Sequence, residues 1–187
     1  MKTSVKAGFI FSLIWIIINM IVYLAGFSIE FFRPGIMVNF FLLMACIAVG
    51  LYVTKKEKNY KKGFFLDDFK TALQCAIIYA LTVSAFAYAY HEFIDDSIKT
   101  SMADARIADL HEKVPNEEAF QEYQAQDITW KNKSFDDFIE NKEDEFRSVF
   151  SSFSVFVGHL MGLTFMGGLF AFAVTLILRK VVLREHT

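Results

Sequence analysis

Four long stretches without a charged residue constrain this chain more than any other feature of its sequence. They are Ala7–Gly26, Ile36–Val53, Thr71–Tyr90 and Val149–Leu178, with 20, 18, 20 and 30 residues. A helix needs about 20 apolar residues to cross a bilayer. One such run could be a buried core helix, but a chain of 187 residues cannot bury four of them in a soluble core. The sequence therefore predicts an all-α integral membrane protein with four transmembrane helices.

The segment between the third and fourth runs differs from the rest of the chain in charge. Residues 91–148 carry 16 Asp or Glu and 7 Lys or Arg, a net charge of −9, whereas the remaining residues carry +7. Pro115-Asn116 is expected to end one helix in this segment, and Asn116 and Ser134 are suited to cap the next two. We therefore predict an acidic helical insert over residues 91–148.

Lysine and arginine positions predict the orientation of the chain. Of the 19 Lys and Arg, 11 lie before the first run, in the loop of residues 54–70, or after the last run. Cytoplasmic loops carry the excess of basic residues, so both termini and this loop are predicted to be cytoplasmic. This orientation divides the chain into three parts. Residues 1–90 hold three spans, at about 7–26, 36–53 and 71–90. Residues 91–148 form an extracytoplasmic insert, and residues 149–187 form the fourth span with a basic cytoplasmic tail.

Helix boundaries are predicted from turn-forming residues and from apolar periodicity. Pro34-Gly35 is expected to break the helix, with Ile36 starting the second span. The third helix is expected to continue past Glu92 into the insert. No break is evident between the last insert helix and the fourth span, so one long helix is predicted there, with Gly167-Gly168 as the place for a kink.

Small residues recur every fourth position in the third and fourth spans. They are Ala72, Ala76, Ala80 and Ser84 in the third span, and Ser154, Gly158 and Gly162 in the fourth. Small side chains at this spacing let helix backbones approach closely within a membrane. We predict that the two stripes pack against each other. The alternative is that the stripe on the fourth span forms a homodimer interface.

Four polar side chains of the spans are predicted to lie together in the outward half of the membrane. They are Asn19, Asn39, Tyr88 and His159. They form a candidate cluster for hydrogen bonds to a lipid head group or a lipid-linked carrier. The alternative is that they only link helices, which is worth about 0.6 kcal/mol per hydrogen bond.

His91, Glu92 and Asp95 form the arrangement that most resembles a metal site in the sequence. A zincin helix needs a second His where Asp95 stands, and a third ligand as well. The spans also lack the Asp, Glu, Lys and Arg residues that ion-coupled transporters use. We expect no enzymatic activity, no cofactor, no metal site and no nucleic-acid partner.

The last helix of the insert carries an aromatic face. Phe135, Phe138 and Phe146 recur at helical spacing, opposite an acidic face. This face is a candidate surface for a membrane-protein or envelope partner, provided that it is not already packed on the other helices of the insert.

Three features of the layout go together along the chain. A basic loop that contains Gly63, Lys62–Lys70, leads into the third span, and an acidic helical insert precedes the fourth. The fourth span then runs from Gly158–Gly162 to the basic Leu178–Lys180. In these features the whole chain resembles a family of small four-span bacterial proteins, common in the Bacteroidetes and known as a domain of unknown function. The resemblance implies a bacterial inner-membrane location and an accessory role, and it brings no catalytic residues.

Two functions of different classes follow from these expectations. The leading hypothesis is a non-enzymatic accessory or interaction subunit that presents the acidic insert outside the cytoplasm. The alternative is a protein that binds a lipid or lipid carrier through the polar cluster between its helices. The expected partners are membrane lipids, a membrane or envelope protein, and a second copy of the chain.

Overall fold

Helices make up almost the whole of the chain. The computed structural model describes residues 2–61, 63–126, 128–131 and 133–185, and these ranges contain helices, turns and links but no β-strand. The α-helices, in chain order, are α1 (Thr3–Leu24), α2 (Ser28–Glu57), α3 (Phe65–Phe93), α4 (Ser97–Lys113), α5 (Glu117–Gln126), α6 (Phe135–Val149) and α7 (Ser152–Glu185). A short 3-10 helix over Ile128–Trp130 lies between α5 and α6. The all-α prediction is confirmed.

Four of these helices, α1, α2, α3 and α7, are long and apolar enough to cross a membrane. They form one bundle in which α2 and α3 each contact the other three helices. The links between α1 and α2 and from α3 through the insert to α7 lie at one end, here called the insert end. The link of residues 58–64 between α2 and α3 lies at the opposite end, here called the loop end. The four predicted spans are confirmed as helices that can span a membrane.

The bundle is tight where α3 faces its neighbours with small residues. The predicted stripe of Ala72, Ala76, Ala80 and Ser84 lies on the buried face of α3, and each of these residues is at most 1% exposed. The Ser84 hydroxyl has no hydrogen-bond partner among the described residues. Ser84 therefore contributes to this face through its small size and not through a hydrogen bond.

α7 approaches α3 closely at a residue outside the predicted stripe of Ser154, Gly158 and Gly162. A Cβ atom added to Gly158 or Gly162 would meet nothing within 4 Å, whereas one added to Gly167 would lie 2.8 Å from the Cβ of Ala76. Ser154 lies in the first turn of α7, where its backbone N–H bonds the Ser151 hydroxyl. The contact is thus made nine residues beyond Gly158, and α7 continues through Gly167-Gly168 as one helix.

The turn between α1 and α2 lies earlier in the chain than Pro34-Gly35, where the sequence predicted it. Gly26 has φ +77°, its N–H bonds Tyr23 O, and the Phe27 N–H bonds Val22 O. This is the Schellman pattern, which favours glycine at the left-handed position. Pro34 lies inside α2, where it removes one backbone hydrogen bond without ending the helix.

Two breaks separate the insert from the bundle, where continuous helices were predicted. The α3 helix ends at Phe93, and Asp95 in the link accepts a hydrogen bond at 3.0 Å from the backbone N–H of Ser97, the first residue of α4. The α6 helix ends at Val149, and the Ser151 hydroxyl caps the start of α7. Short polar side chains that bond nearby backbone groups favour such breaks, and they outweigh the apolar periodicity.

The last two helices of the insert, α5 and α6, begin where the sequence predicts. Asn116 Oδ1 accepts a hydrogen bond from Ala119 N at 3.0 Å, which caps α5. Ser134 and Asp137 form a capping box at the start of α6. Both predicted caps are confirmed.

A buried ion-pair network closes the loop end of the bundle. Asp68 on α3 accepts from Lys55 Nζ on α2 at 2.6 Å and from Arg179 Nη1 on α7 at 2.7 Å. The Asp68 and Lys55 side chains are 6% and 5% exposed. Both cations also bond backbone oxygens of the α2–α3 link, at Lys61 and Gly63. One carboxylate thus ties three membrane-spanning helices together.

Replacing Asp68 with Asn is expected to lower the free energy of unfolding by about 3 kcal/mol, because the loss of one member leaves buried charge unpaired. The neighbouring exposed Asp67→Asn variant has the same change in charge and is expected to cost less than about 1 kcal/mol. Reversible unfolding in mixed detergent micelles measures both. Equal losses in the two variants would show that the network does not stabilise the bundle.

A Gly167→Leu variant is expected to unfold more easily, by about 1–3 kcal/mol, because its side chain would collide with α3. Gly168→Leu is the matched control, since a Cβ there meets nothing within 4 Å. Thermal unfolding of the two variants in the same detergent compares them. A Gly168→Leu variant that is the less stable of the two would place the close contact elsewhere.

Candidate functional site

A polar cavity lies inside the bundle at its insert end. It has a volume of about 60 Å³ and lies between α1, α2, α3, α4 and α7. Its polar lining residues are Asn19, Ser28, Asn39, Tyr90, His91 and His159. Aromatic and aliphatic side chains, including Trp15 and Phe31, complete the wall. Among the described lining residues there is no Asp, Glu, Lys or Arg.

Three of the four residues predicted for the polar cluster meet in this cavity. They are Asn19 of α1, Asn39 of α2 and His159 of α7. The fourth, Tyr88, is 38% exposed on the outside of the bundle, and Tyr90 lines the cavity instead. Residues two positions apart in a helix are separated by about 200° around its axis, so Tyr88 and Tyr90 point to opposite sides.

The two asparagines use part of their hydrogen-bonding capacity within the protein. Asn39 Oδ1 accepts a bond of 2.6 Å from the buried Tyr79 hydroxyl. Asn19 Nδ2 donates to Trp15 O at 2.9 Å, one turn earlier in α1. Asn39 thus keeps an amide group with two donors for the cavity, and Asn19 keeps a carbonyl oxygen as an acceptor.

The two histidines are held in the same way. The His159 Nδ1–H donates to Val155 O at 3.0 Å, and the His91 Nδ1–H donates to Asp95 O at 3.1 Å. A neutral imidazole that donates through Nδ1 has Nε2 as an acceptor. Each ring therefore has one nitrogen with which it can accept a hydrogen bond from a ligand.

A chain of hydrogen bonds connects the cavity to the first link of the insert. The Tyr90 hydroxyl donates to Asp95 Oδ2 at 2.9 Å and lies 3.3 Å from the Ser28 hydroxyl. Burial of Asp95 favours a raised pKa. Hydrogen bonds from Ser28, Ser97 and Tyr90 outweigh burial and lower the pKa of Asp95 to about 2, from an ordinary value of 3.8. Asp95 is therefore a carboxylate that anchors the end of α3.

The cavity adjoins two further spaces that share His159 with it. One, of about 240 Å³, opens sideways between Asn39 on α2 and Gly158 and Gly162 on α7. The other, of about 140 Å³, lies beneath α4 and includes His91 and Lys99. The absence of close neighbours at Gly158 and Gly162 thus coincides with a lateral opening of the bundle.

A wider apolar groove follows the same interface of α2 and α7 towards the loop end. It has a volume of about 730 Å³ and lies between residues 38–52 of α2 and residues 174–181 of α7. Tyr52 is the one hydroxyl-bearing side chain among its described lining residues. We call this space the lateral groove. A polar site and an apolar groove therefore lie along one helix interface.

The candidate metal-binding arrangement does not converge on one point. His91 faces the cavity, whereas Glu92 is exposed. The Asp95 carboxylate bonds Tyr90 and Ser97, and its backbone oxygen bonds His91. In this geometry His91 belongs with the polar cavity, a role that sequence reasoning missed because it considered His91 only with its neighbours in sequence.

The candidate partner face is occupied by the insert itself. Phe138 is fully buried, with ring centroids 4.9 Å from Phe120, 4.9 Å from Trp130 and 5.1 Å from Tyr123. Phe135 and the half-buried Phe146 flank it on α6, and Phe135 packs on the same small core. This face is therefore packed on the rest of the insert and is not free for a partner, because Phe138 at its centre forms the core of the insert.

Comparison with known families places the chain. The family model described as "Protein of unknown function (DUF4199)" matches residues 6–180. The chain belongs to this family. No curated protein and no solved structure matches the chain. The segment shared with the DUF4199 family includes all four membrane-spanning helices in whole or large part, the insert, and every residue that lines the polar cavity.

The carboxylate of Asp95 generates a pH-dependent prediction for this DUF4199 protein. A folded-state pKa below the ordinary value means that Asp95 stabilises the fold above about pH 4, and that this contribution disappears as the pH falls towards 2. Asp95→Asn is expected to lose about 1 kcal/mol at pH 7, since hydrogen bonds to a partly exposed carboxylate are lost.

Unfolding at pH 7 and at a pH below the folded-state pKa of about 2 tests this expectation. The exposed neighbour Asp96→Asn is the control, because its side chain makes no capping hydrogen bond at the start of α4. A gap between wild type and Asp95→Asn that is as large in acid as at pH 7 would rule out the anchoring role.

Proposed function

We propose that this protein binds an amphiphile of the membrane, a lipid or a lipid-linked carrier. The polar part of the ligand lies in the polar cavity, and its hydrocarbon part lies in the lateral groove between α2 and α7. The observation that supports the proposal is that the cavity with hydrogen-bonding groups and a space between α2 and α7 share Asn39 and His159 in their walls.

The chemistry of the cavity wall favours a neutral polar group. Asn39 offers N–H donors, and the two histidines and Asn19 offer acceptors. Polar groups inside a membrane are costly unless they are hydrogen-bonded. A hydroxyl or an amide group can use both the donors and the acceptors of the wall, and the described part of the wall contributes no ionic partner.

The dimensions of the groove agree with a hydrocarbon chain. The residues of α2 that line the groove run from Val38 to Tyr52, over which the helix advances about 21 Å at about 1.5 Å per residue. This is longer than half of a hydrocarbon core of about 30 Å. An extended chain can therefore lie along the groove.

The orientation and location of the protein are part of the same proposal. The excess of Lys and Arg at the loop end supports a cytoplasmic position for that end and for both termini. The polar cavity and the insert would then lie towards the outside of a bacterial inner membrane. An accessory role in a larger complex stays a prediction, and no contact of the insert favours it over ligand binding.

Two single substitutions test the binding site. His159→Leu removes an acceptor, and Gly162→Leu fills the lateral opening, at a position with room for a side chain. His159→Leu is expected to reduce the amount of co-purified lipid several-fold, because one hydrogen bond in a membrane is worth up to about 1–2 kcal/mol. Gly162→Leu is expected to reduce it because the leucine side chain occupies the space of the ligand.

The measurement is quantitative mass spectrometry of lipids that stay with the protein in polymer-bounded native membrane discs. Tyr88→Leu is the control, because Tyr88 faces away from the cavity. Enrichment of the same lipid in wild type and in both site variants would refute the proposal. Loss of enrichment in Tyr88→Leu as well would assign the effect to the outer surface of the bundle.

A further inference from the structure

A second polar pocket lies at the loop end of the bundle, far from the cavity described above. It has a volume of about 710 Å³ and lies between the start of α1, the end of α2 and the start of α3. Its charged lining residues are Lys2, Lys6, Lys58, Lys70, Glu57 and Asp67. We call it the basic pocket, since these residues give it a net charge of about +2 at neutral pH.

The four lysines of the basic pocket have no anionic partner in the described part of the chain. No ion pair within 4.0 Å joins Lys2, Lys6, Lys58 or Lys70 to a described carboxylate. Lys55, one turn before Lys58, is by contrast paired with Asp68. The protein thus pairs one lysine of this region and directs four others towards one cleft.

The remaining polar groups of the pocket are arranged so that donors face an incoming anion. The Thr3 hydroxyl donates to the Glu57 carboxylate at 2.7 Å, which occupies one of the two acidic groups. The Ser4 hydroxyl donates to Gln74 Oε1 at 3.2 Å, so the amide N–H groups of Gln74 are left as donors. An anion in this pocket would meet four ammonium groups and an amide, against the two carboxylates of Glu57 and Asp67.

The position of the pocket along the helices matches the surface of a membrane. Lys6 immediately precedes the first apolar run, Lys58 follows the second within five residues, and Lys70 immediately precedes the third. Lys56 and Lys61 belong to the same basic region but do not line the pocket. The general excess of basic residues on the cytoplasmic side explains why the loop is basic. It does not explain why four lysines from three helix ends line one pocket.

We propose that the basic pocket binds the phosphate group of an anionic lipid at the membrane surface. Each lysine near an anionic membrane surface contributes about 1 kcal/mol of attraction. This site differs in chemistry from the polar cavity, where the wall favours a neutral group, and it does not depend on the function proposed for that cavity. The same phosphate chemistry also occurs in water-soluble compounds, which the experiment separates from lipid.

Matched double substitutions test the proposal on the full chain in detergent micelles. The probes are phosphatidylglycerol and phosphatidylcholine, each with a fluorescent chain. Lys58→Gln with Lys70→Gln is expected to weaken binding of phosphatidylglycerol about 30-fold, equivalent to about 2 kcal/mol, and to leave phosphatidylcholine unchanged. Lys56→Gln with Lys61→Gln removes the same charge outside the pocket and is expected to retain the preference for phosphatidylglycerol.

Each outcome has a defined meaning. Equal weakening in both double variants, or a wild type without preference for phosphatidylglycerol, would overturn the proposal. Competition by inorganic phosphate at constant ionic strength would overturn the lipid source and assign the pocket to a soluble phosphate compound. If the first double variant does not fold, Lys2→Gln with Lys6→Gln replaces it, since these two lysines line the same pocket on α1.

Discussion

The bundle depends on where helix backbones can approach one another within a membrane. In the middle, small residues of α3 allow close contact, and Gly167 of α7 lies against Ala76. At the loop end, Asp68 joins α2, α3 and α7 through two cations. Towards the insert end, Gly158 and Gly162 of α7 have no close neighbour. The space beside His159 therefore lies where these two constraints do not draw α7 against another helix.

The two ends of the bundle treat polar groups differently. At the insert end, each histidine is held by a backbone carbonyl, and the cavity wall contains no described charged residue. At the loop end, charges are numerous, and the ion-pair network lies beside lysines without described partners. A bilayer makes both arrangements understandable, because charge is tolerated at its surface and costly at depth. The proposed ligands follow this division into a neutral polar group and a phosphate.

The sequence predicted features that depend on composition or on a few adjacent residues. The four spans follow from uncharged runs, and the caps at Asn116 and Ser134 follow from local hydrogen bonding. Predictions that needed helix phase or tertiary packing were less successful. Depth in the membrane groups Tyr88 with the polar cluster, but Tyr88 lies about 200° from Tyr90 around α3, and of the two only Tyr90 lines the cavity. The burial of Phe138 depends on Phe120 and Trp130, which meet it only in the folded insert.

The two non-helical links of the insert have a mechanical consequence for the cavity. The first link contains Asp95, whose backbone oxygen holds the His91 ring, and the second begins two residues before Ser152, one turn ahead of Val155, which holds the ring of His159. The insert is therefore joined to the bundle by two short non-helical links, each close in sequence to a residue whose backbone oxygen holds one of the two histidines. A displacement of the insert at its first link would move the Asp95 oxygen that fixes the His91 ring.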